Sequence, residues 1–394
     1  MFATASGDRA STSARWRVPP VVAISGRSYT QRRCAGAWGQ DSGTGDGNRS
    51  ILLAPHACET KARDWVRVRR TIVGIAVSLV FLFLALRGQD FEAVWSALKR
   101  AEYWYVIPAL ALYFSGVWVR SVRWSLLLQS ARRVHWADLF PVVVIGYMAN
   151  NVLPLRAGEF VRAYALSTRA GVRKTAALTT IAVERLFDGL TMLAFMLVAS
   201  LSVALTSPLR HLAVVAGLLF VPLLVGLAIV SNRRVREPLL ARTLPRLPAH
   251  LRERAERMAH SIVLGLSILQ RRRELFAVAA TSIAAWLFEA LTYAVVAQAF
   301  DLQLSMLVIL LTTAVANLAT LIPSSPGYIG PFEAGVLLVL VGVVGISREL
   351  ALSYALVLHA VLYLPVTLWG LLFWWRESLS WRELRRSSVE EAAS

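Results

Sequence analysis

The sequence predicts an all-α, polytopic membrane protein with about six full transmembrane helices and two inverted re-entrant helical hairpins. Three observations predict it. The 394-residue chain is 56% hydrophobic and only 17% charged, with a mean hydropathy of +0.55, which is more apolar than a soluble domain of that size. Apolar runs long enough to cross a bilayer recur along it. Two further apolar segments are interrupted by proline, glycine and charge in the same pattern.

Residues 1–64 stand apart. They are rich in Ser, Gly, Thr and Arg, carry turn pairs such as "SGTGDGN", and show no periodicity and no apolar signal-peptide core. They read as a disordered N-terminal extension. The accompanying expectation is that translation begins near Val66 or Val68, which N-terminal sequencing of the native protein would establish.

The first span is expected at 71–86, behind Arg63, Arg67, Arg69 and Arg70. A helix over 90–100 follows, with Phe91, Val94, Trp95 and Leu98 on one face, as an interfacial helix requires. The second span runs over 103–119 from the aromatic belt Tyr103, Trp104 and Tyr105. Arg120 and Arg123 after it read as interfacial anchors. Residues 137–168 form the first broken segment. Its uncharged run is too short to cross, and Pro154 and Gly158 interrupt it. Spans at 176–205, 211–230 and 274–300 come next, the last two separated by a loop with eleven arginines between Arg233 and Arg273. Part of that loop, near 251–270, has the pattern of a basic amphipathic helix. The second broken segment is 312–345, the last span is 350–375, and 377–394 form a basic tail. With both termini in the cytoplasm, the arginine-rich loops all fall inside. A reading with eight full spans satisfies the same rule.

The net charge of +18 is almost all arginine, since lysine occurs only at Lys61, Lys99 and Lys174. Arginines placed between apolar spans point to membrane lipids, anionic or phosphate-bearing, and not to nucleic acid. The two cysteines, Cys34 and Cys58, support neither a metal site nor a disulfide framework, and no cofactor is expected.

The broken segments match each other. "ANNVLPLRAGEF" and "ANLATLIPSSPGYIGPFE" both begin Ala-Asn. Both reach a proline, Pro154 or Pro323, then a glycine four residues on, Gly158 or Gly327, then a glutamate, Glu159 or Glu333. Three expected spans separate them, so the hairpins would enter from opposite faces. Broken helices at corresponding places of two inverted halves are the sequence pointer to a transport site near the bilayer midplane.

The pattern N-x-x-L-P-x-R-x-G-E-x-x-R, the "ERLFD" at 184–188 and the P-x-x-P-G-x-x-G-x-x-E at 323–333 resemble the lysylphosphatidylglycerol synthase/flippase transmembrane family, over about residues 68–376. Two places depart from the family pattern. Tyr328 stands where the family has a second glycine, and Pro331-Phe332 stand where polar or basic residues are usual. The resemblance implies a flippase-like transmembrane domain over 65–376. The aminoacyl transfer of the family belongs to a soluble domain that is not expected within the 18 or so residues after the last span.

The candidate lipid-binding residues are Asn150, Arg156, Gly158, Glu159 and Arg162 in the first hairpin, and Pro323, Pro326, Gly327, Gly330 and Glu333 in the second. Arg156 and Arg162 would meet a lipid phosphate, for which the planar guanidinium is suited. Helix starts near Gly158 and Gly330 would add free N–H groups. Alternatively, Glu159 and Arg162 pair with each other at the interface. Glu184, Arg185 and Asp188 would form a gate or a coupling-proton site, or else pair internally at headgroup depth. Glu333 would face a cavity, and His359 would relay protons or sit buried in hydrogen bonds. No P-loop, nucleophile elbow or zinc spacing suggests catalysis. The leading expectation is a non-enzymatic lipid flippase in the cell membrane, moving a phospholipid or polyprenyl-phosphate-linked headgroup. The alternatives are an intramembrane transferase or a scaffold. A second copy of the chain or a separate lipid-modifying synthase would be its partner.

Overall fold

Asp90 opens the first helix, α1 (Phe91–Arg100), by accepting hydrogen bonds from the Glu92 and Ala93 N–H groups at 2.9 and 3.2 Å. The computed structural model describes residues 90–153, 158–243, 271–322 and 326–393, with isolated positions elsewhere, all in the unit Lys61–Ser394. The N-terminal extension lies outside those residues, as do most of the span expected at 71–86 and of the basic helix near 251–270. The apolar stripe of α1 divides: Val94 is buried and Leu98 packs on the core, whereas Phe91 and Trp95 stay exposed.

A short turn, Tyr103–Tyr105, leads into α2 (Val106–Leu128). Then come α3 (Trp136–Val152), α4 (Gly158–Ala170), α5 (Lys174–Ala199), α6 (Ser207–Ser231) and α7 (Arg233–Thr243). The second part of the chain forms α8 (Arg272–Gln298), α9 (Met306–Ala319), a turn at Pro326–Tyr328, α10 (Pro331–Val339) widening through Leu340–Val344, and α11 (Arg348–Ala393). Among the described residues there is no strand; the chain is an all-α polytopic membrane protein. Tyr103–Leu128, Ser207–Leu227, Arg272–Gln298, Pro326–Val344 and Arg348–Arg376 have the length and hydropathy to cross a bilayer. At 26 residues α5 is equally long, but carries Glu184, Arg185 and Asp188. The second span is longer than the sequence suggested. Arg120 and Arg123 do not end it at an interface but sit inside α2, buried, because carboxylates on other helices neutralise them. The second arm of the later hairpin is likewise long enough to cross. On α6, Val214, Val215, Leu218 and Leu219 remain exposed, the surface a helix offers to lipid.

Each broken segment folds back as an antiparallel hairpin. In the first, Asn150 Oδ1 accepts from the Gly158 N–H at 2.8 Å, Gly146 lies against the stem of Arg162, and Arg169 reaches the Asp138 carbonyl at 3.5 Å. In the second, Gly335 lies so close to α9 that a Cβ there would fall 2.8 Å from Ala316 Cα. The turn before α10 uses Gly327 at φ 80° and Gly330 at φ 99°, angles that side chains avoid. Between them Tyr328 takes φ 59°, a left-handed conformation that glycine adopts more readily than a residue with a side chain.

The packing has two-fold order. The first half is α2, the α3/α4 hairpin and α5; the second is α8, the α9/α10 hairpin and α11. α3 packs on α11 and α9 on α5, while α4 lies on α5 and α10 on α11. Exchanging the halves therefore maps each contact onto another. The equivalent helices α2 and α8 run antiparallel: the Glu102 N–H meets the Ala299 carbonyl at 2.9 Å, Arg120 meets Glu289, and Arg123 meets Ser282. Equivalent helices pointing opposite ways make the halves an inverted repeat, as the proline-glycine matches imply.

Candidate functional site

Where the two hairpins approach each other the helices leave a cavity of about 150 Å³. Asn150 and Asn151 come to it from the end of α3, and Asn317 from the equivalent place near the end of α9. Arg120, Arg185 and Glu289 are its charged walls. Tyr113, Tyr147, Trp286, Tyr328, Phe332 and Tyr363 supply rings, and His359 closes the side toward α11.

The polar groups are held from behind. Arg120 and Glu289 pair across α2 and α8 at 2.7 Å, with the Arg120 guanidinium stacked 4.4 Å over the Trp286 ring. The other carboxylate oxygen of Glu289 accepts from Asn317 Nδ2 at 3.1 Å. Asn151 Nδ2 donates to Thr367 Oγ1 at 2.8 Å, and the Tyr363 hydroxyl donates to the Asn151 carbonyl at 3.3 Å, tying the first hairpin to α11.

Beneath the cavity is a buried charge cluster. Arg162 grips Glu184 with two hydrogen bonds of 3.0 Å and lies 4.2 Å over the Trp124 ring. Arg123 contacts Asp188 at 2.7 Å and Glu184 at 3.3 Å, and Trp286 Nε1 donates to Asp188 at 2.8 Å. Arg185 is the guanidinium held by the longest contacts: 3.4 Å to Glu184, 3.4 Å to Asp188 and 3.7 Å to Glu159. Its side chain is 34% exposed, against 0–5% for Arg120, Arg123 and Arg162. Charges at such depth are tolerated when paired and hydrogen-bonded, because the unpaired state costs several kcal/mol (about 3–5 on breaking a pair).

Of the residues singled out in the sequence, Asn150 and Arg185 border the cavity, as do Arg120 and His359. Glu159 and Arg162 do not pair with each other. Arg162 turns inward to Glu184, since α4 lies on α5, and Glu159 faces Arg185 and Asn150. Arg162 is 1% exposed, so it supports the cavity instead of meeting a phosphate. Glu184 and Asp188 likewise pair internally, behind the wall. Gly158 is a packing residue that starts α4. Pro326, Gly327 and Gly330 shape the tip from which Tyr328 and Phe332 reach the cavity, and Glu333 sits behind that tip. Arg156, Pro154 and Pro323 lie outside the described residues. Sequence reasoning missed Glu289 and Asn317. A lone acid in the middle of the 27-residue α8 was one available signal, and the Ala-Asn match of the repeat was the other. Among the described residues no group of three His, Cys, Asp or Glu is placed to hold a metal ion.

Two inverted helical halves around a polar cavity define a polytopic, all-α integral membrane protein. The family model for the lysylphosphatidylglycerol synthase TM region matches residues 71–370, and the chain belongs to that family. It is similar to the glycosyltransferase AglD of Haloferax volcanii, at 26% identity over 76% of this chain and 53% of that protein, so the chain spans about half the length of that relative. It is also similar to a UPF0104 membrane protein of Methanothermobacter thermautotrophicus, at 24% identity over 76% of this chain and 92% of that one. A UPF0104 membrane protein of Pyrococcus horikoshii matches at 24% identity over 76% and 94%. No solved structure matches the chain.

Proposed function

We propose that the protein carries the phosphate-bearing headgroup of a phospholipid or polyprenyl-phosphate-linked lipid across the membrane through the cavity between its hairpins. The observation that carries this reading is the cavity's position: residues from both inverted hairpins line it together with Arg120 and Arg185. Its volume of about 150 Å³ suits a headgroup, and the tails would stay in the bilayer. Arg185, partly exposed and held by contacts of 3.4 Å or longer, is the freer of the two described cavity-lining guanidiniums to exchange protein carboxylates for a phosphate. The halves rocking about α2 and α8 would open the cavity to each leaflet in turn. The same reading puts the protein in the cell membrane with both termini in the cytoplasm, which reporter fusions at each end would check.

The test is lipid movement in vesicles holding purified protein and a trace of NBD-phosphatidylglycerol or NBD-labelled polyprenyl phosphate, followed by dithionite quenching. Arg185→Gln is expected to slow movement by about tenfold or more, as losing one charge-assisted hydrogen-bond donor does. Equal rates for wild type and variant would reject the proposed role. A second reading, glycosyl transfer to a polyprenyl phosphate, is favoured only by the name of the Haloferax volcanii relative. It requires labelled product from purified protein given a nucleotide sugar and a polyprenyl phosphate.

A further inference from the structure

Glu333 and His359 meet behind the tip of the second hairpin, where neither the family motifs nor the headgroup-binding reading uses them as a pair. His359 Nε2 lies 2.8 Å from the Gly327 carbonyl oxygen. A carbonyl only accepts, so Nε2 carries a hydrogen. Nδ1 of the same ring lies 2.5 Å from Glu333 Oε1. With Nε2 protonated, a neutral ring presents a lone pair at Nδ1, and an ionised carboxylate presents only lone pairs too. The contact exists only with a proton between the two atoms. Glu333 Oε2 meanwhile accepts from the Gly330 N–H at 2.7 Å. One proton thus links α11, the left-handed turn at Gly327 and the start of α10. His359 borders the cavity with its side chain 13% exposed, and the cavity is large enough for several waters, so the proton has a way in.

The charge count around the cavity gives the proton a use. Arg120, Arg123, Arg162 and Arg185 face Glu159, Glu184, Asp188 and Glu289, four cations against four anions among the described residues. The groups that share the cavity with His359 are Glu289 on α8, Arg120 and Tyr113 on α2, and Tyr147 on α3, while Tyr293 on α8 packs edge-on against Phe332 beside the pair. Arg185 on α5, Tyr328 in the turn and Tyr363 on α11 complete them. α9 offers Asn317 and no charge. Among the described residues of the cluster, each cation is matched by an anion before any anionic headgroup arrives.

We propose that the Glu333–His359 pair is the proton site of a coupled carrier: a singly charged phosphodiester headgroup enters the cavity with one proton lodged between these side chains, and the two cross together. This rests on the headgroup-carrier reading above. The proton cancels the headgroup's charge, so the site carries the same charge loaded and empty, and the cycle is electroneutral. When the proton leaves on the far side, two sets of lone pairs oppose each other. The pair separates and frees the hairpin tip that His359 had fixed through Gly327.

Glu333→Gln is the discriminating variant. A glutamine there donates its amide hydrogen to Nδ1 of a neutral ring and still accepts from Gly330, so the packing survives while the exchangeable proton is gone. In vesicles with NBD-phosphatidylglycerol in both leaflets, a pH gradient is expected to drive the labelled lipid toward the alkaline side. One-to-one coupling sets about tenfold asymmetry per pH unit. A potassium diffusion potential without a pH gradient is expected to drive none. Glu333→Gln is expected to lose the asymmetry. Lipid that moves without regard to the pH gradient, or asymmetry kept in Glu333→Gln, would overturn the proposal. If no lipid moves at all, the carrier reading fails, and infrared spectroscopy judges the proton site by itself. A pH step is then expected to give a carboxyl or imidazolium difference band that both Glu333→Gln and His359→Asn remove. A spectrum unchanged in both variants would overturn the proton site.

Discussion

Glu184→Ala is expected to destabilise the protein by about 3–5 kcal/mol, the cost of breaking a buried ion pair by removing one partner. Glu184 is wholly buried and holds three guanidiniums: Arg162 through two 3.0 Å bonds, Arg123 at 3.3 Å and Arg185 at 3.4 Å. Its loss leaves four arginines facing three carboxylates in the cluster, with Arg162 keeping only the Trp124 face. Arg162, at 1% exposure, presents almost no surface from which water could restore its solvation. Thermal melting followed by size-exclusion in detergent reads the effect: a large drop in midpoint or loss of the monodisperse peak. Glu184→Gln keeps the shape and one acceptor, and is expected to melt between the two. An alanine variant with the wild-type midpoint would show that the cluster tolerates an uncompensated arginine.

That cluster also shows how far the sequence could be read. Hydropathy displays the long apolar helices directly, because crossing a bilayer demands length and apolarity in one contiguous stretch. Proline and glycine display the hairpins, because their backbone constraints act locally. The inverted repeat was legible through Asn150 and Asn317, Pro154 and Pro323. Ion-pair partners are different. Arg162 could be assigned to Glu159 three residues away or to Glu184 on the next helix, and helical spacing alone favours the nearer one. The outcome depends on α4 lying against α5, a tertiary fact. For the same reason Arg120 and Arg123 resembled anchors at the end of a span: their neutralising acids, Glu289 and Asp188, are 169 and 65 residues away. The aromatic lining was hidden for a further reason, since Tyr, Trp and Phe recur along the whole chain and only convergence in space marks the six rings at the cavity.

The second large effect is expected at Gly158, where alanine should cost transport more than tenfold. A Cβ at Gly158 would stand 2.1 Å from the Gly146 carbonyl oxygen and 2.6 Å from Asn150 Oδ1. The first of these is backbone and cannot swing aside, so α3 and α4 must part by roughly an ångström; overpacking of this kind costs about 1–3 kcal/mol. Three things move together. The Gly158 N–H bond to Asn150 lengthens from 2.8 Å, Asn150 shifts in the cavity wall, and Arg162, one turn further along α4, is drawn off Glu184. Gly217→Ala is the matched control, because on α6 a Cβ meets nothing within 4 Å, and alanine there favours helix by about 1 kcal/mol. The pair is read by dithionite-monitored lipid movement beside the melting midpoint. Slow movement in Gly158→Ala with normal behaviour in Gly217→Ala ties transport to the closeness of the first hairpin's two arms. Wild-type movement in both would mean that the hairpin has slack at its tightest contact, and that the cavity's wall is not set by the glycine that starts α4.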